Sequence, residues 1–177
     1  APVGADHQMN VHDTAYTSDG NALRRVNAAL DEPLGPVPKE VLNEDKMQIF
    51  YHDLNWAHLH DCALICQFYC YEYQHLAEAI SGVTGVEYSV QDVLNVGARA
   101  QTLARLFTLR EGFDTDDDRL PKRVMTAFDS GPIAGIGISD EDFAWFRNRY
   151  YERMGWDPET GEPTEQCLKE LELDKLL

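Results

Sequence analysis

The sequence predicts an all-α fold, and three observations carry that reading. Apolar residues recur every three or four positions through long stretches free of glycine and proline, the period of a helix with one buried face. Two of these stretches open on helix-start signatures, Ser89 with Asp92 and Ser139 with Asp142, and others stop at glycine. Alternating runs of β-branched residues, the mark of strands, are weak throughout. The 177 residues suit one domain with a proper core.

Residues 1–45 form the irregular part, rich in turn formers such as Gly20, Pro33, Gly35, Pro36 and Pro38. Only "NALRRVNAAL" (21–30) reads as a short helix, and the segment is expected to pack on the rest. From there the character changes, and 46–177 reads as an all-helical domain. "DKMQIFYHDLNWAHLHDCALICQFYCYEY" (45–73) predicts one long helix, or two abutting ones, largely buried. "YQHLAEAISGVTG" follows and stops at its glycines. After the Ser89 cap, Val90, Val93, Leu94, Gly97, Ala100, Leu103, Ala104 and Phe107 mark one helical stripe, ended by Gly112. "FDTDDDRLPKRV" (113–124) is an acidic loop and "DSGPIAGIGIS" (129–139) a glycine-rich connector. A helix from Ser139 runs through "FAWFRNRYYERM" to Gly155, and "EQCLKELELDKLL" (165–177) is a last short helix. No internal repeat is evident.

Fifteen basic against thirty-one acidic residues leave a net charge of −16. Phosphate recognition needs clustered cations, so nucleic acid and anionic membrane are disfavoured as partners. No window approaches 18 uninterrupted apolar residues. "APVGADHQMN" has neither the basic nor the apolar region of a secretory signal and reads like the interior of a longer polypeptide. Four cysteines, three of them within nine residues, do not form a secreted disulfide framework. A soluble, reduced, cytoplasmic protein is expected.

Cys62, Cys66 and Cys70 fall at i, i+4 and i+8, one face of a continuous helix. Eight residues rise about 12 Å, too far for three thiolates to hold one compact cluster. Disulfides along one helix are geometrically poor. By spacing alone these are small buried apolar groups. His58 and His60 point about 200° apart on a helix and make no joint site. The 114–125 segment lacks the glycine and the closing glutamate of a calcium loop, with Arg119 and Met125 in their places, and its arginines read as locally paired. His7, beside Asp6, has the chemistry of a general acid or base, as His12 does. There is no nucleophile elbow, phosphate loop or dinucleotide fingerprint. The residues alone therefore allow a non-enzymatic helical binding or scaffold domain.

Several stretches together resemble one family, the tungsten-pterin aldehyde ferredoxin oxidoreductases, in their C-terminal helical domain. "LAEAISGVTGVEYSVQDVLNVGARAQTLARLFTLREGFDTDDDRLPKR" (76–123) carries an Arg-Glu-Gly turn and an Asp-Asp-x-Leu-Pro-x-Arg loop like the family's. "YYERMGWDPETGEPT" (150–164) is similar to its closing Tyr-Tyr-x-x-x-Gly-Trp-Asp and Gly-x-Pro-Thr. The likeness covers most of 45–177. "DCALIC" (61–66) matches an Asp-x-x-Gly-Leu-Cys motif in which the Asp contacts a pterin and the Cys is the last of four ligands to a [4Fe–4S] cluster. The resemblance thereby implies that Asp61 and Ile65 face the pterin and that Cys66 is the metal ligand. Leu64 stands where the family has glycine, and Ile65 where it has leucine. Cys62 and Cys70 match no family ligand. "VGADH" (3–7) resembles the segment supplying a histidine near the metal, which makes His7 the catalytic candidate.

The resemblance implies two-electron oxidation of an aldehyde to a carboxylic acid at a tungsten (or molybdenum) molybdopterin-type centre, with electrons leaving through the cluster to ferredoxin. The other three cluster cysteines, a Cys-x2-Cys-x3-Cys group, are not in this sequence. The chain is thus expected to work as part of a longer enzyme, inactive and without cofactor alone, its partners being the N-terminal domains of the same enzyme. A related tungsten enzyme with other redox chemistry is the alternative within the family. A domain shaped to cover a cofactor exposes an apolar face when alone, here expected around Trp56, Phe68 and Tyr69 beside Cys66, with self-association into a homodimer through it.

Overall fold

The computed structural model describes residues 12–66, 68–69 and 71–175. It is helical, with no strand among those residues; two isolated bridges, Phe128 with Ala134 and Trp156 with Pro163, only pin turns. After a 3-10 turn (Asp13–Tyr16) come α1 (Asn21–Asn27), α2 (Glu44–Ala63), α3 (Tyr73–Thr84), α4 (Val90–Arg110), α5 (Lys122–Met125), α6 (Asp140–Met154) and α7 (Glu165–Glu170). No described helix is long and apolar enough to cross a membrane.

Local chemistry explains most boundaries. Asn43 Oδ1 accepts from the Lys46 amide at 2.9 Å and opens α2. Ser89 and Asp92 make a reciprocal capping box at α4, Ser89 Oγ accepting from the Asp92 amide and Asp92 Oδ2 from the Ser89 amide. Ser139 Oγ and Thr164 Oγ1 cap α6 and α7 by accepting from the Asp142 and Cys167 amides. Gly85 and Gly155, both at φ 73°, close α3 and α6 in the left-handed conformation that glycine adopts at least cost. Helices α1 and α7 are shorter than their sequence patterns suggest.

α2 is the hub. Its apolar residues are spread around the whole helix, which suits a helix surrounded by protein. Met47 and Leu54 join a core with Ala98, Tyr150, Tyr151, Met154 and Trp156. Trp56 and Leu59 join a second with α3 and α4, through Tyr73, Leu76, Val93 and Leu94. Ile49 receives Tyr16, Leu23, Val26 and Val37 from the first segment. The expected exposure of Trp56 is corrected: it is 3% exposed, packed edge-on to Tyr73 with ring centroids 4.8 Å apart.

α2 and α4 cross at Gly97. A Cβ there would sit 1.9 Å from the Asn55 carbonyl oxygen, so the two backbones touch. One turn on, Gln101 Nε2 donates to Asn55 Oδ1 (2.6 Å) and Tyr150 OH donates to Gln101 Oε1 (2.6 Å). This buried chain of three side chains ties α2, α4 and α6 together. The predicted α4 stripe is correct at Val93, Leu94 and Gly97 and wrong further on. There the buried face is Ala98, Gln101, Thr102, Arg105 and Thr108, while Leu103 and Phe107 are exposed.

The acidic loop also differs from expectation. Among the described residues its arginines form no local ion pair; Asp118 instead reaches back to the buried Arg105, Oδ2 to Nη1 2.7 Å. Arg105 is 1% exposed, donates from Nε to the Gly161 carbonyl at 3.0 Å, and lies over the Tyr151 and Trp156 rings. Tyr151 OH donates to the same Asp118 carboxylate.

Gly97→Ala should destabilise the chain by about 3 kcal/mol or more, because two backbones must separate. Gly82→Ala, in α3 with nothing within 4 Å of the new methyl, should stabilise by roughly 0.5–1 kcal/mol. Urea midpoints of the two variants check both signs.

Candidate functional site

The predicted helix through residue 73 stops at Ala63. Leu64 adopts φ 56°, ψ 37°, the left-handed region. Its amide donates to the Asp61 carbonyl (3.3 Å) and the Ile65 amide to the His60 carbonyl (3.0 Å). That pair of bonds is the Schellman closure of a helix, and a partly buried Ile65 supplies the apolar contact that accompanies it by packing on the α2–α3–α4 core. The three cysteines therefore do not share a helix face. Cys62 lies in the last turn of α2, Cys66 in the irregular stretch after it, and Cys70 outside the described residues.

This turn gathers the residues singled out from the sequence. Asp61 and Cys66 are both exposed, on either side of the left-handed residue. Cys62 is exposed, not packed as a small core group, while Cys167 is buried and its Sγ lies 3.2 Å from the Met154 carbonyl. Burial against its neighbours and then the Asp61 charge push the Cys62 thiol above its ordinary range. Leu64 is 93% and Phe68 97% exposed, and Tyr69 is exposed beside them with its ring stacked on Tyr71 at 5.4 Å. The expected apolar surface beside Cys66 is thus present at Phe68 and Tyr69 but not at Trp56. A groove of about 410 Å³ runs from it between α2, α3 and α4, lined by Cys62, Ile65, Ile80, Val83 and Val96 among others.

Beneath the turn, α2 carries a buried polar layer that holds the first segment in place. Asp53 accepts from Tyr16 OH and pairs with Arg25 Nη2 at 2.7 Å. Arg25 lies over Trp56 at 5.2 Å, and the His60 ring packs on the same indole with ring centroids 4.4 Å apart. Burial lowers the pKa of His52, His58 and His60 alike. The Nε2 atoms of His58 and His60 have no hydrogen-bond partner among the described residues. These imidazoles are neutral parts of the packing. His7 lies outside the described residues.

Among the described residues no three His, Cys, Asp or Glu side chains come together as a metal-binding group. Two exposed thiols, Cys62 and Cys66, and one exposed carboxylate at a single turn make the donor set of a contributor to a shared site. A [4Fe–4S] cluster needs four thiolates, and this turn can fill one corner of such a site. The donor set therefore fits the role that the motif implies for Cys66.

Comparison with known proteins decides the family. Residues 1–173 match the model described as "Aldehyde ferredoxin oxidoreductase, domains 2 & 3". The chain belongs to the aldehyde ferredoxin oxidoreductase family. A tungsten-containing aldehyde ferredoxin oxidoreductase of Pyrococcus abyssi is 31% identical over 145 residues, 79% of this chain and 23% of that protein. The aliphatic sulfonate oxidoreductase WOR-like subunit of Pyrococcus furiosus is 32% identical over 163 residues, 88% of this chain and 24% of that one. A solved structure, the active site complex BamBC of benzoyl coenzyme A reductase in complex with 1,5 dienoyl-CoA, superposes with a TM-score of 0.63 over 80% of this chain and 22% of its own, at 18% identity. That likeness is one of fold. The chain thus spans about a quarter of the length of the relatives it matches.

The family motifs do two different jobs. Asp61 to Cys66 shape the exposed turn, whereas Asp118, Tyr151, Trp156 and Gly161 enclose Arg105. A Cβ on Gly161, at φ 67°, would lie 2.4 Å from Arg105 Nη2. Charge and periodicity do not reveal that second role, because its members are far apart in sequence.

Leu64→Gly should stabilise the chain by about 0.5–1 kcal/mol, since a left-handed leucine costs roughly 1–2 kcal/mol and glycine returns part of that as unfolded-state entropy; a thermal melt reads the sign. The buried histidines give a pH dependence. Their folded pKa values lie below the unfolded value near 6.5, so the unfolded chain binds more protons as pH falls. The urea midpoint should hold between pH 8 and 7 and start to fall below about pH 6.5, above the carboxylate range. A midpoint unchanged down to pH 5 would contradict neutral buried imidazoles.

Proposed function

We propose that this chain forms the part of a tungsten (or molybdenum) pterin oxidoreductase that closes the cofactor site, in an enzyme oxidising aldehydes to carboxylic acids with ferredoxin as electron acceptor. The observation that supports it is the left-handed Schellman turn at Leu64, which presents Asp61 and Cys66 outward from the end of the most deeply anchored helix. In this reading Cys66 is the fourth thiolate of a [4Fe–4S] cluster and the other three come from the preceding part of the enzyme. Asp61 accepts hydrogen bonds from a pterin ring, and the backbone at Ile65 borders it. His7 accepts or donates the proton of the oxidised substrate.

When bound, the metal-pterin group supplies the two-electron redox chemistry and the cluster carries electrons onward. This chain's residues position and insulate. The Schellman closure holds the backbone from His60 to Ile65 in one shape and so limits how far the carboxylate and the thiolate on either side of it can move apart. Phe68 and Tyr69, exposed just after Cys66, offer apolar surface that would be covered with the thiolate in the assembled enzyme, and lower solvent access there would influence cluster potential. Net charge and the absence of clustered cations at this turn suit a site that meets other protein, not nucleic acid.

The 32% identity to the sulfonate oxidoreductase subunit over more of the chain favours keeping a second reading: the same site serving a different substrate class. The two differ in substrate and share the roles of Asp61 and Cys66.

In the enzyme that contains this chain, Cys66→Ser should lower iron content by close to one cluster and reduce dye-coupled aldehyde oxidation at least a hundredfold, while Cys62→Ser leaves both near the parent value. Iron assays and aldehyde turnover read this out. Full iron and activity in Cys66→Ser would refute the assignment, and turnover of sulfonates but not aldehydes would select the second reading.

A further inference from the structure

No residue from Leu109 to Arg149 is buried. This stretch includes α5, the glycine-rich connector and most of α6, and it is anchored by the Asp118–Arg105 pair and by Phe146, which packs on the first core against Phe50. Arg147 Nη1 adds a bond to the Thr115 carbonyl at 3.1 Å. Yet Phe113, Val124, Phe128, Ile136 and Trp145 all stand exposed in it, Phe128 at 59%. Ordering a chain costs roughly 1–2 kcal/mol per residue, and the partial burial of Leu120, Met125, Ile138, Phe143 and Phe146 offsets only part of that cost. Sequence chemistry gives the stretch an ordered shape all the same. Gly137 packs so tightly on Met125 and Ala127 that a Cβ would come within 2.9 Å of their backbone, and the Gly135 amide bonds to the Phe128 carbonyl at 2.9 Å.

The charge of the stretch points the same way. Arg119, Lys122 and Arg123 join none of the ion pairs among the described residues, in a chain with twice as many acids as bases. Arg119 and Lys122 edge a cavity of about 640 Å³ whose apolar wall is Leu120, Met125, Ile138 and Phe143, with Asp140 opposite. A socket with an apolar wall and two unused cations fits a protein surface that offers an apolar side chain flanked by carboxylates. The relatives supply the candidate, since some three quarters of their length lies outside the matched part.

We infer that residues 113–145 are the docking surface on which the remainder of the same enzyme polypeptide sits, through an apolar, carboxylate-bearing face that fills the socket at Leu120 and Phe143 and pairs with Arg119, Lys122 and Arg123. This rests on the reading of the chain as one part of a longer oxidoreductase. It adds a second anchor, distinct from the Cys66 turn, and so holds the cluster-bearing turn and the rest of the enzyme in fixed register.

The test uses the enzyme that contains this chain. Under hydroxyl-radical footprinting, Phe128 and Trp145 should be modified as slowly as the core residues Tyr150 and Trp156, about tenfold below a free aromatic side chain. Zero-length carbodiimide coupling should join Lys122 to a carboxylate outside these 177 residues within one polypeptide, and Lys122→Gln should abolish that product. Rapid modification of Phe128 and Trp145 would overturn the inference, as would Lys122 coupling only within the 177 residues or only between separate copies. Iron content separates the two readings. Loss of iron in Cys66→Ser with unprotected Phe128 defeats the docking surface alone, and protection of Phe128 with iron independent of Cys66 defeats the cluster assignment alone.

Discussion

The rest of the structure depends on the place where α4 lies against α2. Gly97 brings the helix backbones into contact at Asn55, and the Asn55–Gln101–Tyr150 chain fixes the rotation of one helix on the other. Each buried amide and hydroxyl in that chain has a partner, so a slip along the helix would leave polar groups unpaired in a dry core, at about 1–3 kcal/mol each. α2 also receives α3 on one side and the first segment on another, and so cannot tilt without disturbing three cores. Its C-terminal turn inherits that rigidity. Under the proposed function, that rigidity suits a site in which a carboxylate and a thiol, Asp61 and Cys66, meet groups carried by other parts of an enzyme with little freedom to adjust.

Arg105 fixes the opposite end of α4. A guanidinium that is 1% exposed loses several kcal/mol of hydration unless its surroundings compensate. Asp118, the Gly161 carbonyl and the faces of Tyr151 and Trp156 do so together. Residues from three family motifs converge on this one side chain. The Asp-Asp-x-Leu-Pro-x-Arg loop is thus held by its second aspartate, which is turned inward, and its basic residues remain on the surface. A loop that reads in the sequence as solvated, with locally paired arginines, is at Asp118 a structural tie, and Arg119, Lys122 and Arg123 join none of the ion pairs among the described residues.

The sequence made legible whatever was decided by neighbouring residues. Ser89, Ser139, Gly85 and Gly155 mark helix ends because a cap is a local bond or a local φ, and α3, α4 and α6 follow from them. Leu64 carries no such mark: nothing in a leucine announces a left-handed turn, and the helical period runs through it to Tyr73. Only the family resemblance, by placing glycine at that position, held the clue. The lower half of α4 was illegible for another reason. Periodicity registers apolar residues, and there the buried groups are Gln101, Thr102, Arg105 and Thr108, whose partners come from α2, the acidic loop and the turn after α6. Trp56 was misplaced because nearness in sequence to Cys66 is not nearness to the surface; it sits more than two turns down the helix, facing α3. The motif singles out Asp61 and Cys66, and both stand exposed at the turn, whereas Cys62 reads as a core thiol by spacing and stands exposed because the helix ends one residue after it.

The central claim is that this chain gives a cluster one ligand and that the ligand is Cys66. The most direct measurement is an anomalous-scattering map at the iron edge from crystals of the enzyme that contains this chain. The account predicts four irons in one compact peak, with Cys66 Sγ bonded to one of them, Asp61 beside the pterin, and Leu64 in the left-handed conformation between them. A cluster held by four cysteines from outside these residues, with Cys66 remote and free, would contradict it.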